Sequence, residues 1–185
     1  LYDLLANLAR MFYYERDDYK SASIAAKQAV QLDPAREDAY PLLGFCQLRL
    51  QQFAEAVETW KRLVGLDPNK PFHQLNYSSA LQTAGRLEEA LVPAGEAIRL
   101  VPSSQRYYLH RSRILTMLDR YEEAISDYKR IIELFETGTH EPDPAPVQNP
   151  RSRAELERSL PAQELARLAV AGLGYAYRKV SKFED

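Results

Sequence analysis

The fold is decided by residues 37–70, which read EDAYPLLGFCQLRLQQFAEAVETWKRLVGLDPNK. Tyr40, Leu43 and Gly44 follow the spacing i, i+3, i+4, which predicts one apolar face of a first helix. A second apolar stripe with helical spacing follows, and it consists of Phe53, Ala56, Val57, Trp60, Leu63 and Val64. The stretch is therefore predicted to form two amphipathic helices.

The same stretch shows where these helices end and how they meet. Leu50-Gln51-Gln52 predicts a tight corner between the helices. Pro68 ends the second helix, because its ring disfavours the helical conformation of the residue before it. Gly44 and Ala56 are small residues at the predicted crossing, where a larger side chain would push the backbones apart. Helices of about 13 residues are marginal alone in water, so stacking must supply their stability.

This helix pair recurs along the chain at a fixed interval. Alanines at four positions and prolines at three are each separated by 34 residues, at Ala22, Ala56, Ala90 and Ala124, and at Pro34, Pro68 and Pro102. A fixed period of this length is typical of a solenoid, in which each unit buries its apolar face only against its neighbours. Such an array is a surface for holding other proteins and has no inherent chemistry.

The repeated unit resembles the tetratricopeptide repeat, a helix–turn–helix unit of 34 residues. The residue that opens the second helix of that family corresponds to Tyr19, Phe53, Leu87 and Tyr121, and its Glu-Ala pair to residues 55–56, 89–90 and 123–124. The resemblance implies an all-α fold, a right-handed α-α superhelix. Four complete units are expected over residues 1–136, at 3–36, 37–70, 71–104 and 105–136.

The period breaks in a proline-rich insertion at residues 137–161. Its four prolines, at positions 142, 144, 146 and 150, predict extended, polyproline-like chain. Residues 152–155 have capping-box spacing and predict a short helix. Pro161 is expected in the first turn of a helix that runs to about Val180 and begins a fifth, truncated unit over residues 162–185. The insertion is interpreted either as a solvated loop or as one that closes on a ligand.

Two residues depart from the family pattern. Arg111 stands where leucine is usual, so its methylenes are expected on the core while its guanidinium reaches water or a carboxylate. Pro93 lies inside a predicted second helix, where it removes a hydrogen bond and should kink the helix.

Composition argues against several classes of function. The chain of 185 residues has a net charge of −2 and no apolar run of the ~18 residues or more that a transmembrane helix needs. A near-neutral charge of mixed signs argues against nucleic acid as the main partner. The single cysteine, Cys46, excludes an internal disulfide, and its position predicts a small buried hydrophobe rather than a nucleophile. Localisation stays open between cytoplasm and periplasm.

The sequence predicts neither catalysis nor a cofactor. His73, His110 and His140 fall in different units, and no His–Glu or Cys–Cys spacing suits a metal ion. The seven glycines are scattered, and they form no phosphate-binding loop. We therefore expect a protein that is not an enzyme and that holds no metal.

In the family, the first helices line a concave groove, and the positions that usually face it supply the candidate binding residues. These are Phe45, Arg49, Phe72, Leu75, Asn76, Arg106, Leu109, His110 and Arg113. The phenylalanines and leucines are expected to form an apolar strip with polar neighbours in the fourth unit. Exposed apolar groups in a concavity mark a binding site, although the superhelix itself is an alternative cover for some of them. The expected partner is a protein or peptide with apolar anchors and a carboxylate.

One binding mode known in this family does not fit. Some members grip the C-terminal carboxylate of heat-shock chaperones with a clamp of lysine, asparagine and arginine side chains. Pro41 and Phe45 stand where that clamp needs lysine and asparagine, so binding of a chaperone tail is not expected. Arg106 with Asn76 is still predicted to accept an acidic side chain.

Two classes of function remain open. The leading one is a scaffold or adaptor that binds an extended or helical peptide in the groove. The alternative is a structural or regulatory segment of a larger protein, such as secretion machinery or enzyme-linked repeats, that spaces domains or self-associates. Neither class requires nucleic acid or insertion into a membrane.

Overall fold

The computed structural model describes residues 1–141 and 160–181, and over these residues the chain forms nine α-helices and no strand. The helices are α1 Tyr2–Tyr14, α2 Tyr19–Leu32, α3 Tyr40–Arg49, α4 Phe53–Leu66, α5 Pro71–Thr83, α6 Leu87–Leu100, α7 Gln105–Met117, α8 Tyr121–Glu136 and α9 Ala162–Val180. The all-α prediction is confirmed. The proline run at 142–150 and the short helix predicted after residue 152 lie outside the described residues.

The chain divides into two compact parts. We call residues 1–93 the first unit and residues 94–185 the second unit, as distinct from the 34-residue repeats. In the first unit α1 packs on α2, α2 on α3, α3 on α4 and α4 on α5, and α1 also contacts α3. In the second unit α8 packs on both α7 and α9, and α9 also contacts α7. The division falls at Pro93, inside α6, where the kink stays a prediction.

Small residues lie where paired helices approach each other. The four periodic alanines are fully buried, with 0% exposure at Ala22, Ala56, Ala90 and Ala124. At Gly44 of α3 an added Cβ would lie only 2.7 Å from Cε2 of Trp60 on α4. Because Trp60 is fully buried, its ring has no room to move away. The predicted requirement for small residues at the crossing is confirmed.

A residue with positive φ closes the corner inside each helix pair. These residues recur every 34 positions, with φ of 52° at Asp17, 61° at Gln51, 76° at Gly85 and 58° at Asp119. In three corners the next residue donates its N–H to the carbonyl five residues earlier, from Gln52 to Gln47, Arg86 to Leu81 and Arg120 to Leu115. This pattern caps the end of the first helix. Glycine adopts a positive φ without steric cost, as Gly85 does, so the corners at Asp17, Gln51 and Asp119 carry some backbone strain.

Arg111 reaches a carboxylate, as its position in the sequence predicts. Its Nε and Nη2 donate to the two carboxylate oxygens of Asp127 at 2.8 and 2.6 Å, which joins α7 to α8. Asp127 is only 2% exposed. Burial raises the pKa of the Asp127 carboxyl, and the hydrogen bonds from Arg111 oppose that rise. A bidentate ion pair therefore replaces the leucine packing usual at this position.

We expect Gly44→Ala to lower the free energy of unfolding by about 2 kcal/mol, because the added methyl overpacks a filled crossing. Gly65→Ala is the matched control, since Gly65 lies near the end of α4 and a Cβ there meets no atom within 4 Å. Alanine has the higher helix propensity, so this control should be slightly more stable than the parent. Urea unfolding of both variants measures the difference, and equal stabilities would contradict the close approach at Gly44.

Candidate functional site

The nine predicted binding residues lie on first helices in two separate units. The first unit holds Phe45 and Arg49 on α3, and Phe72, Leu75 and Asn76 on α5. In the second unit, α7 carries the remaining four, Arg106, Leu109, His110 and Arg113. The residues of the two units differ in how deeply they are buried and in what they contact.

Phe45, Trp60 and Phe72 form an aromatic cluster that joins α3, α4 and α5. The ring centroids lie 5.1 Å apart for Phe45 and Trp60, 6.0 Å for Trp60 and Phe72, and 6.5 Å for Phe45 and Phe72. All three pairs are edge-to-face, which is a favourable arrangement for aromatic rings. Trp60 is fully buried, Phe45 is half-buried and Phe72 is 36% exposed. Two rings thus present apolar surface on a buried tryptophan base.

The other predicted residues of the first unit differ in accessibility. Leu75 is half-buried on α5, and Arg49 is exposed at the end of α3. Arg49 donates from Nη2 to the hydroxyl of Tyr19 at 3.0 Å, and its guanidinium lies 4.7 Å from the centroid of that ring. Asn76 is 5% exposed and donates from Nδ2 to the carbonyl of Phe72 at 2.6 Å. Asn76 is therefore engaged within its own helix, whereas Arg49 and Leu75 reach the surface.

In the second unit the predicted residues on α7 are more enclosed. Leu109 is 3% exposed and belongs to the core of this unit. His110 and Arg113 are half-buried. Leu109 therefore stabilises the fold and presents no surface for a partner.

Arg106 contacts residues near both ends of the insertion. Its Nη2 donates to the carbonyl of Leu160 at 2.9 Å, and its Nη1 lies 3.6 Å from a carboxylate oxygen of Glu141. Glu141 also donates its backbone N–H to the carbonyl of Ser103 at 3.2 Å. With its side chain only 15% exposed, Arg106 links residues near both ends of the insertion to the start of α7. The contact with Leu160 joins residues 54 positions apart, and helical periodicity gives no signal for it.

Burial shifts the pKa values of two side chains that could carry out chemistry, His73 and Cys46. The described residues contain no group of three or more His, Cys, Asp or Glu side chains that could hold a metal ion. Burial lowers the pKa of His73, which is 4% exposed and therefore stays neutral at pH 7. Burial also raises the pKa of the Cys46 thiol to about 12, so the reactive thiolate is not populated. Among the helices described, none is long and apolar enough to cross a bilayer.

Tandem helix pairs with a 34-residue period define the protein as an α-helical repeat protein. The profile of the tetratricopeptide repeat matches residues 46–104 and 75–139, which together span just over half of the chain. The chain belongs to the tetratricopeptide repeat family.

Curated relatives contain the same kind of repeat in longer chains. The TPR repeat-containing thioredoxin TTL4 of Arabidopsis thaliana is 31% identical over 102 residues, which are 55% of this chain and 15% of that protein. DnaJ homolog subfamily C member 7 of Homo sapiens is 26% identical over 127 residues, which are 66% of this chain and 25% of that protein. The chain thus spans a quarter or less of the length of these two relatives.

Solved structures show the same fold. The structure titled "Crystal structure of MamA protein" has a TM-score of 0.66 at 17% identity and covers 98% of this chain and 92% of its own. The "MamA RS-1 ArsTM double mutant" has a TM-score of 0.69 at 18% identity, and the match covers 76% of this chain and 78% of that one. The predicted fold class, a solenoid of tetratricopeptide units, is confirmed. Family and fold together support a protein-interaction scaffold as the general function.

We expect Arg106→Ala to lower the free energy of unfolding by about 1–2 kcal/mol, because it removes a charge-assisted hydrogen bond from a largely enclosed site. Arg167→Ala serves as the control, since Arg167 is 81% exposed and lies 3.6 Å from Glu164 on its own helix. Exposed ion pairs contribute little to stability, so the control should unfold like the parent. Urea unfolding measures the stability of both variants. Equal losses of stability would mean that the contacts of Arg106 do not stabilise the fold.

Proposed function

We propose that the chain is a scaffold that binds a peptide segment of a partner protein at the aromatic cluster of Phe45, Trp60 and Phe72. The observation that carries this proposal is the pair of accessible rings, half-buried at Phe45 and 36% exposed at Phe72, over a fully buried tryptophan. Binding energy concentrates where large aromatic groups on a rigid base bury much area at low entropic cost. A partner would therefore insert an apolar side chain against these two rings.

The proposed peptide also carries a carboxylate. Arg49 lies four residues after Phe45 on α3, so both side chains share one face of that helix. Arg49 is exposed, and its Nη2 donates to the hydroxyl of Tyr19 at 3.0 Å. Arg106 is a weaker candidate because Leu160 and Glu141 already contact its guanidinium. A carboxylate about one helical turn from the apolar anchor would pair with Arg49.

A structural segment that spaces the domains of a longer protein is the second candidate function. The length of the relatives favours it, since the match covers only 15% of the Arabidopsis protein and 25% of the human one. The two candidates differ in what the isolated chain does. A spacer needs no peptide ligand, whereas the proposed scaffold binds one by itself.

Tryptophan fluorescence tests the proposed site directly. The chain has one tryptophan, and it forms the base of the aromatic cluster. Peptides selected from a phage-displayed library against the isolated chain should change the emission of Trp60 as they bind, because the anchor contacts rings packed on the indole. Saturable binding without any change in Trp60 emission would place recognition elsewhere.

We expect Phe72→Ala to weaken binding of the selected peptides by about 2 kcal/mol, or roughly 30-fold, as loss of an aromatic hot spot does. Val92→Ala is the matched control, because Val92 is an apolar side chain, 76% exposed, on α6 and outside the aromatic cluster. Fluorescence titration gives both affinities, and circular dichroism shows that both variants are folded. Equal affinities of the two variants would count against the aromatic cluster as the binding site.

A further inference from the structure

A groove runs between α2 and α4 in the first unit. It contains a cavity of about 490 Å³ lined by α2, α3 and α4, and a second of about 380 Å³ lined by α2 and the corner before α4. The α2 residues that line the two cavities form one helical face, made of Lys20, Ser23, Ile24, Lys27, Val30 and Gln31. From Lys20 to Gln31 this face is about 16 Å long, or three helical turns. We call this feature the α2–α4 groove.

The larger cavity has an apolar floor. Val30, Tyr40 and Leu43 line it and are buried side chains of α2 and α3. The polar lining residues Thr59 and Gln47 are hydrogen-bonded to each other, since Thr59 Oγ1 donates to Gln47 Oε1 at 2.7 Å. A volume of about 490 Å³ exceeds what one side chain fills and lies in the range of ligand pockets. The floor therefore suits several apolar side chains presented together.

Charges of both signs line the walls of the groove. Lys27 stands on α2, and Glu55, Glu58 and Arg62 stand on one face of α4. All four are exposed, and none has an ion pair with another residue in the part of the chain that the structure describes. Arg36, Lys70 and Arg86 of the same unit do form ion pairs with carboxylates. The groove thus keeps one basic and one mainly acidic wall available for a charged partner.

We propose that the α2–α4 groove is a second binding site, which holds an amphipathic helical segment of a partner protein. The segment places apolar side chains on the floor, carboxylates toward Lys20 and Lys27, and lysine or arginine side chains toward Glu55 and Glu58. The walls are helices whose backbone groups bond internally, so an extended peptide would find few partners for its amides. A helix satisfies its own backbone and fits a groove of three turns.

This site goes beyond the function proposed for the first helices. It shares no lining residue with the aromatic cluster of Phe45, Trp60 and Phe72. A variant that disables one site leaves the residues of the other unchanged. Each of the two proposals can therefore be tested independently of the other.

The test selects helical peptides of about 15 residues from a phage-displayed library against the Phe72→Ala chain, and measures their affinities by fluorescence anisotropy. Selected peptides should carry apolar residues flanked by acidic residues on one side and basic residues on the other. Lys27→Glu and Glu58→Lys should each weaken binding at least tenfold. Lys61→Glu is the matched control, since Lys61 is an exposed lysine of α4 outside the groove lining, and it should bind like the parent.

A charge swap separates recognition from any loss of structure. A peptide whose acidic flank is changed to lysine should regain affinity for Lys27→Glu, which an unfolded variant would not allow. Absence of selected binders, or less than a twofold change in both groove variants, would overturn the proposal. Sedimentation of the chain alone addresses a second copy as the occupant. Dimers that Lys27→Glu breaks, and that a mixture of Lys27→Glu with Glu58→Lys restores, would also overturn the proposal of a partner segment.

Discussion

The close approach of the two helices within each pair is the constraint on which the other features depend. Four fully buried alanines, one in each pair, permit this approach, and a corner residue with positive φ turns the chain at the same point of each pair. Short helices are not stable alone in water, so each must bury its apolar stripe on its neighbours. In the first unit this packing leaves parts of the aromatic cluster on α3 and α5 exposed, and it leaves the α2–α4 groove open.

The helix pairs could be predicted because one pattern is repeated four times, and each copy fixes the phase of the others. The small residue at Gly44 and the carboxylate partner of Arg111 followed from local physical arguments. A crossing needs space, and a long cation at a core position must reach water or an opposite charge. Asp127 as the particular partner required the structure, because periodicity does not say which acidic residue of the neighbouring helix turns inward.

The candidate site could be predicted only in outline. The family pattern locates a helical face, but burial depends on what covers that face, and Leu109 is in the core while Phe72 is accessible. Arg106 contacts irregular chain at Glu141 and Leu160, which lies outside any repeating phase. The α2–α4 groove also escaped prediction, since its evidence is a set of cavity-lining charges without ion pairs, and sequence spacing does not show which charges pair.

Unfolding measurements on the four periodic alanines test the account most directly. Urea unfolding of Ala22→Val, Ala56→Val, Ala90→Val and Ala124→Val should show a loss of about 2 kcal/mol for each variant, because the added methyl groups overpack the helix crossings. Ala171→Val places the same change at an exposed position of α9, and it should lose only about 0.5 kcal/mol through helix propensity. Losses at the four periodic positions as small as the loss at Ala171 would contradict the account.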